Sequence, residues 1–164
     1  MQFKSLTDKF YYILTSDELY NMELGAVANI VSLILDEIST ETIKYFVFRN
    51  IDDCKQFIGE MNSRIGEDIV EFNEMCANSD DIKNNACMLT MTNDDDGGFT
   101  CKLDIHDCDD EYTDYDFMMA ILEDKILNNN INLRKLLKRV LHNRTVKRFI
   151  ANYDIDNVVF DDLL

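Results

Sequence analysis

The chain has 164 residues and a formal charge of −16, with 46% hydrophobic and 29% charged side chains. That length suits one domain with its own core, and the balance of apolar to charged residues excludes a disordered chain. So acidic a body repels nucleic acid and anionic membrane over most of its surface and attracts basic partners, and no apolar run approaches the roughly 18 residues that a membrane span needs.

Lys4–Leu14 places Leu6, Phe10, Ile13 and Leu14 at helical spacing, which predicts a first helix. Thr15-Ser16-Asp17-Glu18 reads as a capping box, Thr15 to Glu18, opening a second helix from Asp17 to Ile38. Its stretch Ala26–Leu35 is apolar nearly all round, which predicts burial on several sides. After the polar break Glu37–Thr42, the β-branched and aromatic run Ile43–Arg49 predicts a strand. Asn50 is placed to cap a long helix from Ile51 to Asn78. Its apolar positions, from Ile51, Cys54 and Ile58 to Phe72 and Cys76, recur every three or four residues on one face.

Ala86–Thr92 and Phe99–Ile105 flank Asn93-Asp94-Asp95-Asp96-Gly97-Gly98, a strong hairpin signal. A three-residue loop, Asp96-Gly97-Gly98, puts Cys87, Leu89 and Met91 on one apolar face with Phe99, Cys101, Leu103 and Ile105. Met88, Thr90, Thr92, Thr100, Lys102, Asp104 and His106 then take the other face, and a slip of one residue would scramble both. The acidic connector Asp107–Thr113 leads to a helix that starts at Thr113 or Asp114, carries Phe117, Met118, Ile121, Leu122 and Ile126 as its stripe, and ends at Asn128-Asn129-Asn130.

Asn132 is placed to cap a further helix. There Leu133, Leu136, Leu137, Val140 and Leu141 share one arc, and Arg134, Lys135, Lys138, Arg139 and His142 fill the opposite one. Arg144 would fall in the apolar arc of a continued helix. A break is therefore predicted near His142-Asn143, with Asn143 as a left-handed C-cap and Thr145 capping a short final helix that carries Val146, Phe149 and Ile150. Together these elements predict a single compact α+β domain over 1–164: a small antiparallel sheet, one hairpin plus a third strand, packed against five to six helices.

No Asp or Glu lies between Ile126 and Tyr153, a stretch that holds seven of the sixteen basic residues and leaves nine basic against thirty-two acidic elsewhere, a net of −23. Separated charge bears on partners rather than on fold. The cationic arc has three readings. It is a solvated face whose Arg134, Lys135, Lys138 and Arg139 pair with the chain's own acids, a site for an acidic protein or for a second copy in a homodimer, or a phosphate-binding face for nucleic acid or lipid head groups. Direct contact with nucleic acid or anionic membrane is the less favoured, given the charge elsewhere, although screening over about 8 Å lets a separate face act alone. The acidic counterpart is Asp94, Asp95, Asp96, Asp107, Asp109, Asp110, Glu111, Asp114 and Asp116. Such a ridge of carboxylates can imitate nucleic-acid phosphates and occupy a basic groove on a partner; the plain alternative is a solvated hairpin tip and connector.

Metal chemistry finds little to work with. An EF-hand loop started at Asn93 has Gly97 at position 5 and Asp104 at position 12, where an acid and a Glu are required, and its flanks read as strands. Cys87, Cys101, His106 and Cys108 have the wrong spacing for common zinc sites, and the hairpin register points the two strand cysteines into the core and His106 out. A non-standard divalent site from Asp107, Asp109, Asp110 and Glu111 is the remaining alternative. The five cysteines, an odd number, and a polar Met1–Lys9 with no apolar signal core suggest reduced thiols and a cytoplasmic protein. None of the five glycines belongs to a phosphate or dinucleotide loop, and no nucleophile elbow is present.

The expectation is a non-enzymatic acidic protein, without cofactor or metal, that docks on a basic partner surface, such as that of a nucleic-acid-binding protein, and inhibits or regulates it. Viral and phage proteins that bind host factors are of this kind, and the absence of Pro and Trp beside abundant Asn suits AT-rich genomes. The alternatives are a phosphate-surface binder acting through 132–148 and a metal-dependent enzyme built on the 94–116 carboxylates.

Overall fold

The computed structural model describes residues 2–60, 85–93, 99–106, 113–155 and 159–160. In chain order these form β1 (Gln2–Phe3), α1 (Leu6–Thr15), a 3₁₀ turn (Asp17–Asn21), α2 (Leu24–Ile38), β2 (Ile43–Phe48), α3 (Ile51–Glu60), β3 (Cys87–Asn93), β4 (Phe99–Ile105), α4 (Asp114–Asn128), α5 (Leu133–Val140), α6 (Arg144–Asn152) and β5 (Val159–Phe160). The fold is α+β: six helices among the described residues and a three-stranded antiparallel sheet, as the pattern predicted.

Ser5 caps α1, accepting from the Asp8 N–H at 3.1 Å, and Phe10, Ile13 and Leu14 are buried. The second helix does not start at Asp17. Thr15 Oγ1 donates back to the Tyr11 carbonyl at 2.8 Å, so Ser16 is the cap, and it opens only the 3₁₀ turn. The helix is interrupted by tertiary contacts. The Tyr115 hydroxyl donates to the Met22 carbonyl at 2.6 Å, a group that a continuous helix would use internally, and Tyr20 lies on the Tyr115 ring at 5.5 Å. α2 restarts at Leu24 and buries Val27, Ala28, Ile30, Val31, Ile34 and Leu35 on one broad arc, with Ala26 and Leu33 half-buried and Asn29 exposed. It packs against β2, α4 and α5.

β2 stops one residue short of Arg49, whose Nε pairs with Asp53 at 2.9 Å. Asn50 caps α3, accepting from the Asp53 N–H at 2.8 Å, and Ile51, Cys54 and Ile58 form the start of the predicted seam. The continuation of that helix to Asn78 lies outside the described residues.

The sheet order is β2-β3-β4. β3 pairs with β4 in a register that sets Cys87 opposite Ile105, Leu89 opposite Leu103, Met91 opposite Cys101 and Asn93 opposite Phe99. The faces are those predicted, but the register is not. Asn93 stands opposite Phe99, where the three-residue loop Asp96-Gly97-Gly98 would have set Asp95; the loop itself lies outside the described residues. The register differs from the expected one by two residues. Because side chains alternate with period two, such a shift preserves both faces. Asn93 is drawn into the ladder from the other side, where its N–H donates to the Thr42 carbonyl at 2.8 Å.

Each face of the sheet belongs to a different hydrophobic cluster. Cys87, Leu89 and Met91, with Phe46 and Phe48 of β2, pack under α3. Met88, with Val47 and Tyr45 of β2, joins the larger cluster built by α1, α2 and α4–α6.

α4 opens with a reciprocal cap: Thr113 Oγ1 accepts from the Asp116 N–H at 3.3 Å, while Asp116 Oδ2 accepts from the Thr113 N–H at 3.0 Å. It buries Met118 and Leu122 and closes with Asn130 at φ 51, in the left-handed region, and with the Ile131 N–H on the Ile126 carbonyl at 3.2 Å. A pairing that the sequence did not suggest joins β1 and β5 in parallel, Gln2 to Val159 and Phe3 to Phe160.

Candidate functional site

The cationic segment is built as two short helices joined by a three-residue turn, Leu141–Asn143. Asn132 caps α5 through the Lys135 N–H at 3.1 Å, and Leu136, Leu137, Val140 and Leu141 are buried. Arg134, Lys135, Lys138 and Arg139 are all exposed, as the arc required. The break falls where predicted, but its chemistry differs. Asn143, at φ −70, is not a left-handed C-cap; its Oδ1 accepts from the N–H groups of Thr145 and Val146 at 3.0 and 3.1 Å, so it is the N-cap of α6, and Thr145 lies inside the helix. The new helix buries Val146 and Ile150 and turns Arg144 outward, along with Lys147 and Arg148.

Two of the four α5 cations are engaged within the chain. Arg134 pairs with Asp8 of α1 and lies over the Tyr11 ring, 4.1 Å from its centroid. Arg139 reaches Glu37 of α2 at 3.6 Å. Lys135, Lys138, Arg144, Lys147 and Arg148 form no ion pair among the described residues.

Beneath this surface sits Lys9, which sequence reasoning passed over. Its side chain is buried at the end of α6, where Nζ donates to the carbonyls of Ala151 and Tyr153. A cation there satisfies carbonyls that the helix leaves open and complements the negative end of its dipole. Burial lowers the Lys9 pKa from its usual value, partly opposed by Asp154. The available signal was a base inside the apolar arc of α1, four residues before Ile13.

Of the nine carboxylates on the acidic side, Asp94, Asp95, Asp96, Asp107, Asp109, Asp110 and Glu111 lie outside the described residues. Asp114 and Asp116 are described, and both are engaged by the chain itself. Asp114 Oδ1 lies 2.6 Å from His106 Nδ1 and accepts from the Ala86 N–H at 3.1 Å, tying the start of β3 to the start of α4. Asp116 accepts from Tyr20 and Thr113, and those hydrogen bonds, that of Tyr20 first, lower its pKa. His106 does not point out to solvent. The His106 N–H still donates to the Ala86 carbonyl at 2.9 Å, so strand alternation keeps the side chain on the Met88 face, and that face is covered rather than open: the imidazole is buried against Asp114 and stacks on Phe117 of α4 at 5.0 Å. Cys54 and Cys87 are buried and Cys101 half-buried; Cys76 and Cys108 lie outside the described residues.

Among the described residues no group of three His, Cys, Asp or Glu side chains is arranged to hold a metal ion, and no helix is long and apolar enough to cross a membrane. No family model matches the chain, and no curated protein or solved structure matches it either.

Proposed function

We propose that this chain is a non-enzymatic acidic binding protein that docks on a basic surface of a partner, in the cytoplasm, and inhibits or regulates it. The observation that carries the reading is the charge segregation. Outside the 127–152 segment the chain carries a net of −23, and within that segment Arg134 and Arg139 are already paired with Asp8 and Glu37. The field a partner meets at a distance is therefore negative over most of the molecule, which steers basic surfaces toward it. Asp94–Asp96 and Asp107–Glu111 are the residues proposed to make the contact.

An affinity capture from the native host, eluted with a salt gradient, tests this. A partner with a basic face, released as salt rises and lost on Asp94→Lys/Asp95→Lys/Asp96→Lys, is the expected result. Capture of partners whose retention ignores both salt and those substitutions would sink it.

A further inference from the structure

Two depressions flank Phe149 of α6 and share Phe149 and Thr145. The smaller, about 120 Å³, is walled across from α6 by Ala26, Ile30 and Leu33, a stripe of α2 at helical spacing, with Asn29 beside it. Around the α6 axis, at about 100° per residue, the order is fixed. Val146 and Ile150 face the core. Phe149, Thr145 and Asn152 come next and face the depressions; Arg148 and Arg144 follow, one turn apart, and Lys147 lies beyond them. Arg148 itself lines the second depression. The apolar groove between α2 and α6 thus adjoins, across Phe149 and Thr145, a second depression that Arg148 lines, with Arg144 one turn before Arg148 on the same side of α6; both arginines are exposed, and neither has an ion pair among the described residues.

We infer that this groove takes an acidic, amphipathic peptide segment of a partner protein, with an apolar side chain seated against Phe149 between α2 and α6 and carboxylates on Arg144 and Arg148. Charge complementarity selects the acid, and the apolar wall selects the anchor. The chain already shows the pairing in its own contacts, where Arg134 lies over the Tyr11 ring and holds the Asp8 carboxylate. Asp154, at the far side of the second depression, repels carboxylate there and orients the segment with its acids toward Arg144. Nucleic acid is the poorer occupant. Its backbone offers no aliphatic group for the α2 wall, and a polyanion that runs past the patch meets the −23 of the remaining chain. A peptide of two or three turns meets only the patch. This face is opposite in charge to the surface proposed above, so each reading can fail while the other stands.

The test uses the full chain and a fluorescein-labelled helical peptide of about 11 residues, Leu at i, i+3, i+4 and i+7 and mainly Glu elsewhere, read by anisotropy at low salt. Binding on the order of micromolar is expected. Arg144→Glu/Arg148→Glu should weaken it at least about tenfold; both positions are exposed, and an acid at the first turn of α6 suits the helix, so the variant stays folded. Leu33→Asp, in the opposite wall, should weaken it as well, with an unchanged circular dichroism spectrum as the control. Changing the peptide's leucines to serine should abolish binding. Four results would overturn the assignment: no binding, equal binding of the serine peptide, indifference to the arginine variant, or tighter binding of a single-stranded oligonucleotide than of the peptide.

Discussion

Ser32 grips both backbone groups of Val47: its Oγ donates to the Val47 carbonyl at 2.8 Å and accepts from the Val47 N–H at 2.9 Å. Val47 lies on β2, the edge of the sheet, and these groups point away from β3. Two helical turns on, Ser39 Oγ accepts from the Tyr45 N–H at 3.3 Å. Serines along one side of α2 thus satisfy an edge that would otherwise be open to another strand.

Ser32→Ala should therefore do more than remove a hydroxyl. It leaves a donor and an acceptor unsatisfied at a residue only 3% exposed, at a cost of about 1–3 kcal/mol. Urea unfolding should show a lower midpoint with an unchanged slope. A loss below a few tenths would mean that water replaces the serine.

Asn143 distinguishes two kinds of helix end. As the N-cap of α6 it should lose about 1 kcal/mol on change to Ala, only a few tenths on change to Gly, and almost nothing on change to Asp. A left-handed C-cap would instead favour Gly over Asn, so a clear gain in stability for Asn143→Gly would reverse the assignment.

Lys9 predicts a rise of stability with pH. A base whose pKa is lowered by folding binds fewer protons folded than unfolded between the two values, so stability grows as pH climbs from the lowered value to 10.5. The difference in unfolding free energy between the wild type and Lys9→Met should grow through that window. Tyr153, whose pKa is raised above 10.0 by burial and by Glu18, acts in the opposite sense at higher pH but is common to both proteins and cancels. A difference independent of pH would show that Lys9 stays fully charged in the fold throughout the range.

At the acid end Asp116 contributes. Its lowered pKa contributes stability that is present above 3.8 and is lost as pH falls through the folded value. Tyr20→Phe removes the first cause and should move the carboxyl, followed by NMR titration, back toward 3.8. No movement would assign the shift to the remaining causes, the Thr113 hydrogen bonds and the nearby His106.

The cations and the leucines of α5 should separate cleanly. Arg134→Gln and Arg139→Gln break exposed pairs and should cost at most about 1 kcal/mol each. Leu136→Ala and Leu137→Ala empty fully buried positions and should cost about 2–5 kcal/mol. Thermal or urea denaturation of the four variants checks the ordering.

Local patterns were legible wherever a residue's partner lies within a few positions. The caps Asn50 and Asn132, the two-sided character of α5, the α2 burial and both faces of the hairpin all follow from spacing within one element. The hairpin register did not, because face chemistry is blind to a shift of two residues. Other features rest on contacts between distant parts of the chain, for which no local periodicity exists. Lys9 reaches across to Ala151, Tyr115 ends the turn at Met22, and Gln2 pairs with Val159. On the candidate surfaces, the exposed arc of α5 could be read from its sequence, whereas the groove between α2 and α6 needed both helices in place.

Met88 and Leu89 are adjacent in the chain yet belong to separate packing communities, one with α2 and α4, the other with α3. β3 is a party wall. Loosening α3 would lay bare Leu89 and Met91 while the far side of the same strand stayed sealed. Amide hydrogen exchange should then resolve α3 as a unit that opens at lower free energy than α2, with the β3 ladder released only when both sides have gone.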